Sequence, residues 1–265
     1  MRLMSIASGS SGNCIYVGND NTHILIDTGI SKKRVEDGLK SLELSPSDLN
    51  GIFITHEHSD HISGLGVLLR KYNVPVYSTR ETIEAIRTCE GLGKTDEGLF
   101  IEIEPDTNVI LNDLTVRPFS ISHDAANPVG YRVEDKKSKA AVATDMGTYD
   151  DYIVENLTGL NGLVLEANHD IRMLQTGRYP YQLKQRILGN KGHLCNEMAG
   201  RLLDIILNEN MKKVFLGHLS KENNYEELAY ESVRMEINLS ESIYKADDFD
   251  IAVAKREVPS GWAEI

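Results

Sequence analysis

His56-Glu57-His58-Ser59-Asp60-His61 places four metal-binding side chains within six residues. Imidazole nitrogens and carboxylate oxygens are the donors that zinc and related first-row cations prefer. The run leaves the apolar stretch Ile52–Thr55 and enters a helix-patterned stretch at Ile62, and a strand-to-helix turn can splay neighbouring side chains toward one point. Three of the chain's eight histidines lie in this one run, more than composition explains. Further candidates also end strand-like segments: His123 after Phe119–Ser122, Asp145 after Ala140–Thr144, His218 after Val214–Gly217 and Asp27 after Ile24–Ile26. Taken singly, each has an ordinary alternative as a polar strand terminus or a turn former. A divalent ion held by such donors could perform hydrolysis, by acidifying a water and stabilising charge on an acyl or phosphoryl oxygen.

Other segments carry polar residues in places that could matter. Leu163–Leu165 ends in Glu166-Ala167-Asn168-His169, and Lys191-Gly192-His193-Leu194-Cys195 precedes a helix-patterned stretch. Between Ile171 and Asn196 the chain carries Arg172, Arg178, Lys184, Arg186 and Lys191 with no acidic residue. Such a run would attract phosphates locally, although 28 basic against 40 acidic residues give a net charge of −12 that repels nucleic acid at long range. Tyr179 and Tyr181, beside Pro180, could stack on bases. Ser8-Gly9-Ser10-Ser11-Gly12-Asn13 is a small-residue loop able to turn backbone N–H groups inward as an anion nest.

These motifs, in this order and over nearly the whole chain, resemble the metallo-β-lactamase superfamily. The resemblance implies one ion on His56, His58 and His123, a second on Asp60, His61 and His218, and Asp145 bridging the two. Asp27 would orient a ligand histidine without touching metal. The ions would be zinc or manganese, with iron admissible.

Within that superfamily, the di-iron oxygen reductases resemble HxExDH, whereas His58 stands at their glutamate position. Lactamases commonly lack a bridging aspartate such as Asp145. Thioester or lactone hydrolysis passes both tests. Glu166 and His193 resemble the proton-donating pair of tRNA 3′-processing nucleases. On that likeness Glu166 holds and charges His193, His193 protonates the leaving oxygen after metal-activated water attacks phosphorus, and Asp60 orients or deprotonates that water. The Ser8–Asn13 loop, Asn168-His169-Asp170 and Gly192-His193-Leu194 match the YycJ/WalJ group, regarded as DNA-acting nucleases with 5′-to-3′ exonucleases among them. Cys195 departs from a serine usual there, leaving Asn196 or backbone to cap the following helix. No insertion resembles a tRNA-gripping arm, so transfer RNA is not expected. Substrate contacts would come from Ser10, Ser11, Asn13, His169, Arg178 and Lys191.

The elements that must position these residues are short and many. Strand patterning recurs at Leu3–Ala7, Cys14–Val17, His23–Ile26 and Ile52–Thr55, then at Phe100–Ile103, Leu114–Ile121, Gly130–Val133 and Ala140–Ala143, and later at Gly162–Leu165, Val214–Leu216 and Asp250–Ala254. Helical patterning marks Lys32–Ser41, Ile62–Tyr72, Glu81–Thr88, Tyr149–Leu157, Tyr181–Leu188, Glu197–Leu207 and Tyr225–Ile237. In the stretch from Glu197, Met198, Leu202, Ile205 and Ile206 are expected on one buried face. The expected fold is α/β, a four-layer αββα sandwich forming a single domain over residues 1–265. No apolar run approaches the roughly 18 residues of a membrane span, and three cysteines without a CxxC pair suit a reducing cytoplasm. Two other readings stay open: a small-molecule phosphodiesterase, cyclic-nucleotide or sugar phosphate, or a thioesterase; and a metal-binding sensor without turnover. A nuclease alone among them would favour long substrates and lose binding steeply with salt.

Overall fold

In the computed structural model, which describes residues 1–265, two seven-stranded sheets lie face to face with helices outside each. The first sheet contains β1 (Arg2–Ala7), β2 (Cys14–Gly18), β3 (His23–Ile26), β4 (Gly51–Phe53), β5 (Val76–Ser78) and β6 (Phe100–Glu102), with β14 (Trp262–Glu264) antiparallel on β1. The second runs from β7 (Val109–Leu111) through β8 (Leu114–Ser120), β9 (Val129–Glu134), β10 (Lys139–Ala143), β11 (Gly162–Glu166) and β12 (Lys213–Gly217) to β13 (Ile251–Val253). In both sheets an antiparallel start gives way to parallel pairing: β3-β4-β5-β6 and β10-β11-β12-β13.

Side-chain alternation along the strands creates three apolar layers. Leu3, Val17, Ile24, Phe53, Val142 and Val164 belong to the core between the sheets. Their neighbours Met4, Tyr16, Leu25 and Ile52 face outward onto α1 (Lys32–Lys40) and α3 (Leu65–Tyr72), burying Val35, Leu39, Leu65 and Leu68. On the other side Leu163, Leu165, Val214 and Leu216 meet α5 (Asp151–Leu157), α8 (Asn196–Ile206) and α9 (Glu226–Leu239). A period of two along each strand thus serves two cores at once, which is the αββα arrangement.

Four expectations need correction. The helix foreseen at Ile62–Tyr72 is broken into α2 (Ser59–Ile62) and α3, and it begins at Ser59, so Asp60 and His61 are helical. The break falls where Gly64 presses on the preceding loop: a Cβ there would sit 1.9 Å from the Ile30 carbonyl oxygen, so only glycine fits. On α8 the buried set is Ala199, Leu202, Leu203 and Ile206, while Ile205 is 56% exposed, because a helix docked between α5 and α9 buries a stripe rotated from the one expected. The three-residue strands β5, β7 and β14 and the short helix α6 (Ile171–Thr176) carry too little periodicity to announce themselves. Finally, of the two groups expected to replace a cap at Cys195, the Asn196 side chain turns to Asn224 instead, while a backbone group, the His169 carbonyl, meets the Asn196 N–H at 3.0 Å. No helix is long and apolar enough to cross a membrane.

Candidate metal centre

The parallel strands end at one edge, and their registers bring the chemistry together. Leu165 pairs with Leu216, and Glu166 with Gly217, so Glu166 ends β11 beside His218 at the end of β12. Ala143 pairs with Leu165, which puts Asp145 in the same row. Ile26 pairs with Phe53 across β3 and β4, and there the Asp27 carboxylate accepts hydrogen bonds from the Thr55 backbone N–H at 2.8 Å and from its hydroxyl. Asp27, Asp145 and His218 all take left-handed backbone, with φ of 61°, 61° and 55°. Non-glycine residues there cost on the order of 1 kcal/mol or more each. The strand ends turn sharply and aim these side chains into one cleft.

His56, His58 and His123 converge: His56 Nε2 lies 3.1 Å and His123 Nε2 3.3 Å from His58 Nδ1. A second group joins Asp60, His61 and His218, with His218 Nε2 3.2 Å from Asp60 Oδ2 and His61 Nε2 3.5 Å from it. Asp145 lies between the groups. One of its oxygens is 3.6 Å from His123 Nε2 and 3.5 Å from His218 Nε2, and the other is 3.1 Å from His61 Nε2. In each triad one donor atom per residue lies within 4.8 Å of the others.

Several rings have their second nitrogen tied away from the cleft. His61 Nδ1 meets Asp27 at 2.7 Å, His218 Nδ1 meets Glu166 at 3.0 Å, His123 Nδ1 meets the Gly192 carbonyl at 3.1 Å and His56 Nδ1 meets the Thr55 hydroxyl at 3.0 Å. Partners of this kind fix the tautomer and leave Nε2 to a cation. Sequence reasoning foresaw Asp27 but missed Thr55, the Gly192 carbonyl and Asn168, whose Nδ2 donates to the His218 carbonyl at 2.8 Å. A backbone carbonyl leaves no mark in a sequence, whereas Asn168 stood in a quoted motif.

Electrostatics point to cations. Burial opposes charge on His61 and His218, yet Asp145, Asp27 and Asp60 pull His61 well above the ordinary imidazole range, and Asp145, Asp60 and Glu166 pull His218 up to about 10. Burial also opposes ionisation of Asp145, but His218 and His61 hold it well below the usual carboxylate range. His56 is pushed the other way by burial and by neighbouring His61, so its lone pair stays available. One observation fits metal better than hydrogen bonding: Asp145 Oδ2 is buried and accepts no hydrogen bond, although His61 Nε2 is 3.1 Å away. Carboxylate oxygens and ring nitrogens crowded together in a buried cleft suit divalent cations, which would take the place of the protons that His61 and His218 otherwise hold.

Beside this cluster, His193 Nδ1 lies 2.8 Å from Glu166 Oε1 and 3.5 Å from Asp145. Glu166 is fully buried; its other oxygen accepts the N–H groups of Met146 and Leu194 at 2.8 and 3.0 Å. Burial works against charge on His193, but Glu166 raises its proton affinity above the ordinary value. Its ring keeps 19% of its surface open.

The expected substrate contacts fare unevenly. The Ser8–Asn13 loop is not an open nest: Gly9 N donates to Asn13 Oδ1, Ser10 N to Leu219 O, Gly12 N to Gly9 O and Asn13 N to Asp60 O. Asn13 is buried and its Nδ2 lies 3.2 Å from His61 Nε2, so the loop braces the second ligand group. Gly29 completes that brace, since a Cβ there would sit 1.7 Å from the Asp60 carbonyl oxygen. Ser10 and Ser11 are exposed at the loop tip. His169 is buried rather than open to substrate; its Nδ1 meets Asn168 Oδ1 at 3.2 Å, and burial pushes it down to about 4. In the basic run Lys184 donates to the Gln175 carbonyl and Arg186 pairs with Asp124, while Arg172, Arg178 and Lys191 are exposed. The helix α7 (Tyr181–Leu188) in that run buries no residue, and Tyr181 is 74% exposed.

The sequence profile described as the beta-lactamase superfamily domain matches residues 22–215. Exodeoxyribonuclease YycJ of Bacillus anthracis is 43% identical over 228 residues, covering 86% of each chain. The chain belongs to the β-lactamase superfamily, in its YycJ/WalJ group. This group member is also 40% identical to exodeoxyribonuclease WalJ of Streptococcus pneumoniae over 225 residues, 85% of this chain and 84% of that one. Among solved structures, the metallo-β-lactamase fold protein YhfI of Bacillus subtilis superposes with a TM-score of 0.69 over 99% of this chain and 98% of its own, at 16% identity. The YycJ/WalJ-group chain therefore has the metallo-β-lactamase fold, and its His/Asp clusters suit divalent metal.

Proposed function

We propose that residues 1–265 form one hydrolase domain that holds two divalent ions, zinc or manganese, and cleaves DNA phosphodiesters in the cytoplasm. The carrying observation is the Glu166–His193 contact of 2.8 Å beside seven convergent ligand candidates. Similarity to proteins named exodeoxyribonucleases supports DNA and exonuclease action.

His56, His58 and His123 would hold one ion and Asp60, His61 and His218 the other, with Asp145 shared. Bound divalent cations supply an acidified water and Lewis-acid stabilisation of a phosphoryl oxygen. Asp60, the most open carboxylate of the set at 22% side-chain exposure, orients that water. His193, protonated beside Glu166, gives its proton to the departing ester oxygen, and buried Glu166 keeps the ring charged and aimed. Exposed Arg172, Arg178 and Lys191 bring the strand in against the global charge of −12 by pairing with phosphates.

Cleavage of 5′- and 3′-labelled single- and double-stranded DNA and RNA, with manganese and zinc compared, tests this reading. Chelator and His58→Ala should abolish DNA turnover, and His193→Ala should lower it by about 10²–10⁴. Bound metal without turnover on any DNA would overturn it.

A further inference from the structure

The first ligand group adjoins a cavity of about 430 Å³, of whose lining the chemistry above uses only His123 and Lys191. Its wall includes His123 itself, so whatever fills it lies against the reacting centre. We propose that this cavity seats the sugar and base of a single nucleotide adjoining the scissile phosphate, an inference that rests on the nuclease reading.

Its size is that of a site for one small ligand, within the usual range of roughly 300–1,000 Å³ and too small for a duplex. Its charge is nearly balanced: Lys191 is the one cation and Asp150 the one carboxylate lining it, and Asp150 is engaged by the Ile153 N–H at 3.1 Å. A stretch of phosphate backbone needs several cations, so the neutral part of a nucleotide is what this lining admits. Half-buried Tyr149 and Tyr152 offer ring surface, and the Thr148 hydroxyl and the Asn127 side-chain oxygen, whose amide nitrogen is held by Glu81, offer polar groups for a base edge or sugar hydroxyl.

The cavity is also pre-built. Ser122 Oγ donates to the Asn190 carbonyl at 2.7 Å, Gly147 N donates to the Ser122 carbonyl at 2.9 Å, and Ala126 N donates to Glu57 at 2.9 Å. The Asn127 carbonyl accepts from Thr79 at 2.9 Å. Glu57 lies between His56 and His58, so the same short segment carries the ligands and props the cavity's rim. Asp124, next to His123, is paired with Arg186, which spares an incoming phosphate a bare carboxylate beside that ligand.

The test is calorimetric binding of deoxyadenosine monophosphate and of inorganic phosphate to the metal-loaded protein and to Ala126→Trp, which plugs the mouth from an exposed position, with Thr148→Leu as a second variant and thermal melting as the check on folding. The nucleotide should bind the unaltered protein at least tenfold more tightly than phosphate. Either folded variant should erase that margin while leaving phosphate binding and the turnover of bis(p-nitrophenyl) phosphate unchanged. Equal affinity for nucleotide and phosphate, or a margin that survives in both variants, overturns the subsite. Failure of the nuclease reading shows separately, as absence of DNA cleavage by the unaltered protein.

Discussion

Glu166 Oε1 lies 2.8 Å from His193 Nδ1, and the same oxygen lies 3.0 Å from His218 Nδ1. One buried carboxylate atom thus aims a ring that faces the cleft and a ring of the second ligand group. The proton donor and that ligand group are mechanically linked.

Glu166→Gln should accordingly damage two functions at once. An amide has a single acceptor oxygen and no charge, so its NH2 must face either the two rings or the Met146 and Leu194 N–H groups, and metal affinity should fall by about 10–100-fold. DNA turnover at saturating metal should fall further, because His193 loses its charge partner. Metal titration and single-turnover cleavage on the same preparation separate the two effects. Unchanged metal affinity would mean that His218 does not rely on Glu166.

Asp27 combines a left-handed backbone with a 2.7 Å contact to His61. Asparagine tolerates that backbone, whereas alanine does not. Asp27→Asn should weaken metal binding by about 10–100-fold with a small change in Tm. Asp27→Ala should lose affinity at least as much and be less stable by a further 1 kcal/mol or so. Equal melting of the two variants would remove the backbone argument.

Glu36 ties α1 to α3: Tyr72 donates to it, as do Lys32 and Lys71, each at 2.9 Å, and these partners lower its carboxyl from about 4.5 to about 2. The folded state favours the ionised form, so the stabilisation is complete above the unfolded value near 4.5 and disappears as pH falls through about 2. Glu36→Gln should melt below the unaltered protein at neutral pH, and the gap should narrow as pH drops across that window. A gap that is the same at neutral and acid pH would refute it.

On α8, Leu203 is fully buried and Ile205 is 56% exposed. Leu203→Ala should cost about 2–5 kcal/mol and Ile205→Ala within about 0.5 kcal/mol. Denaturant unfolding of the pair checks which stripe of the helix faces the core.

Much of the site was legible because each ligand candidate follows an apolar strand, and local patterning reports where a strand ends. His56, His58, Asp60 and His61 sit within six consecutive residues, so one turn suffices to cluster them. The resemblance then supplied which distant residues belong with them. Alternation of apolar residues likewise foretold most strands, and the order of strands and helices together with the resemblance foretold the four layers.

Three-dimensional packing decided the rest. Whether Glu166 serves one ring or two depends on the parallel register of β11 with β12, and a slip of one residue would turn its side chain to the opposite face. The Ser8–Asn13 loop looked like an open anion nest, but the Asn13 amide and the Leu219, Gly9 and Asp60 carbonyls take its donors, and composition cannot say which groups reach them first. His169 read as a possible contact and is buried. The helix after His61 breaks at Gly64 because a loop some 35 residues earlier leaves no room for a Cβ. Local propensity acts over a few residues, and that is what this sequence determined unaided. Registers, cavities and shared carboxylates arise from contacts between segments far apart in the chain, and only the assembled sheets bring those into being.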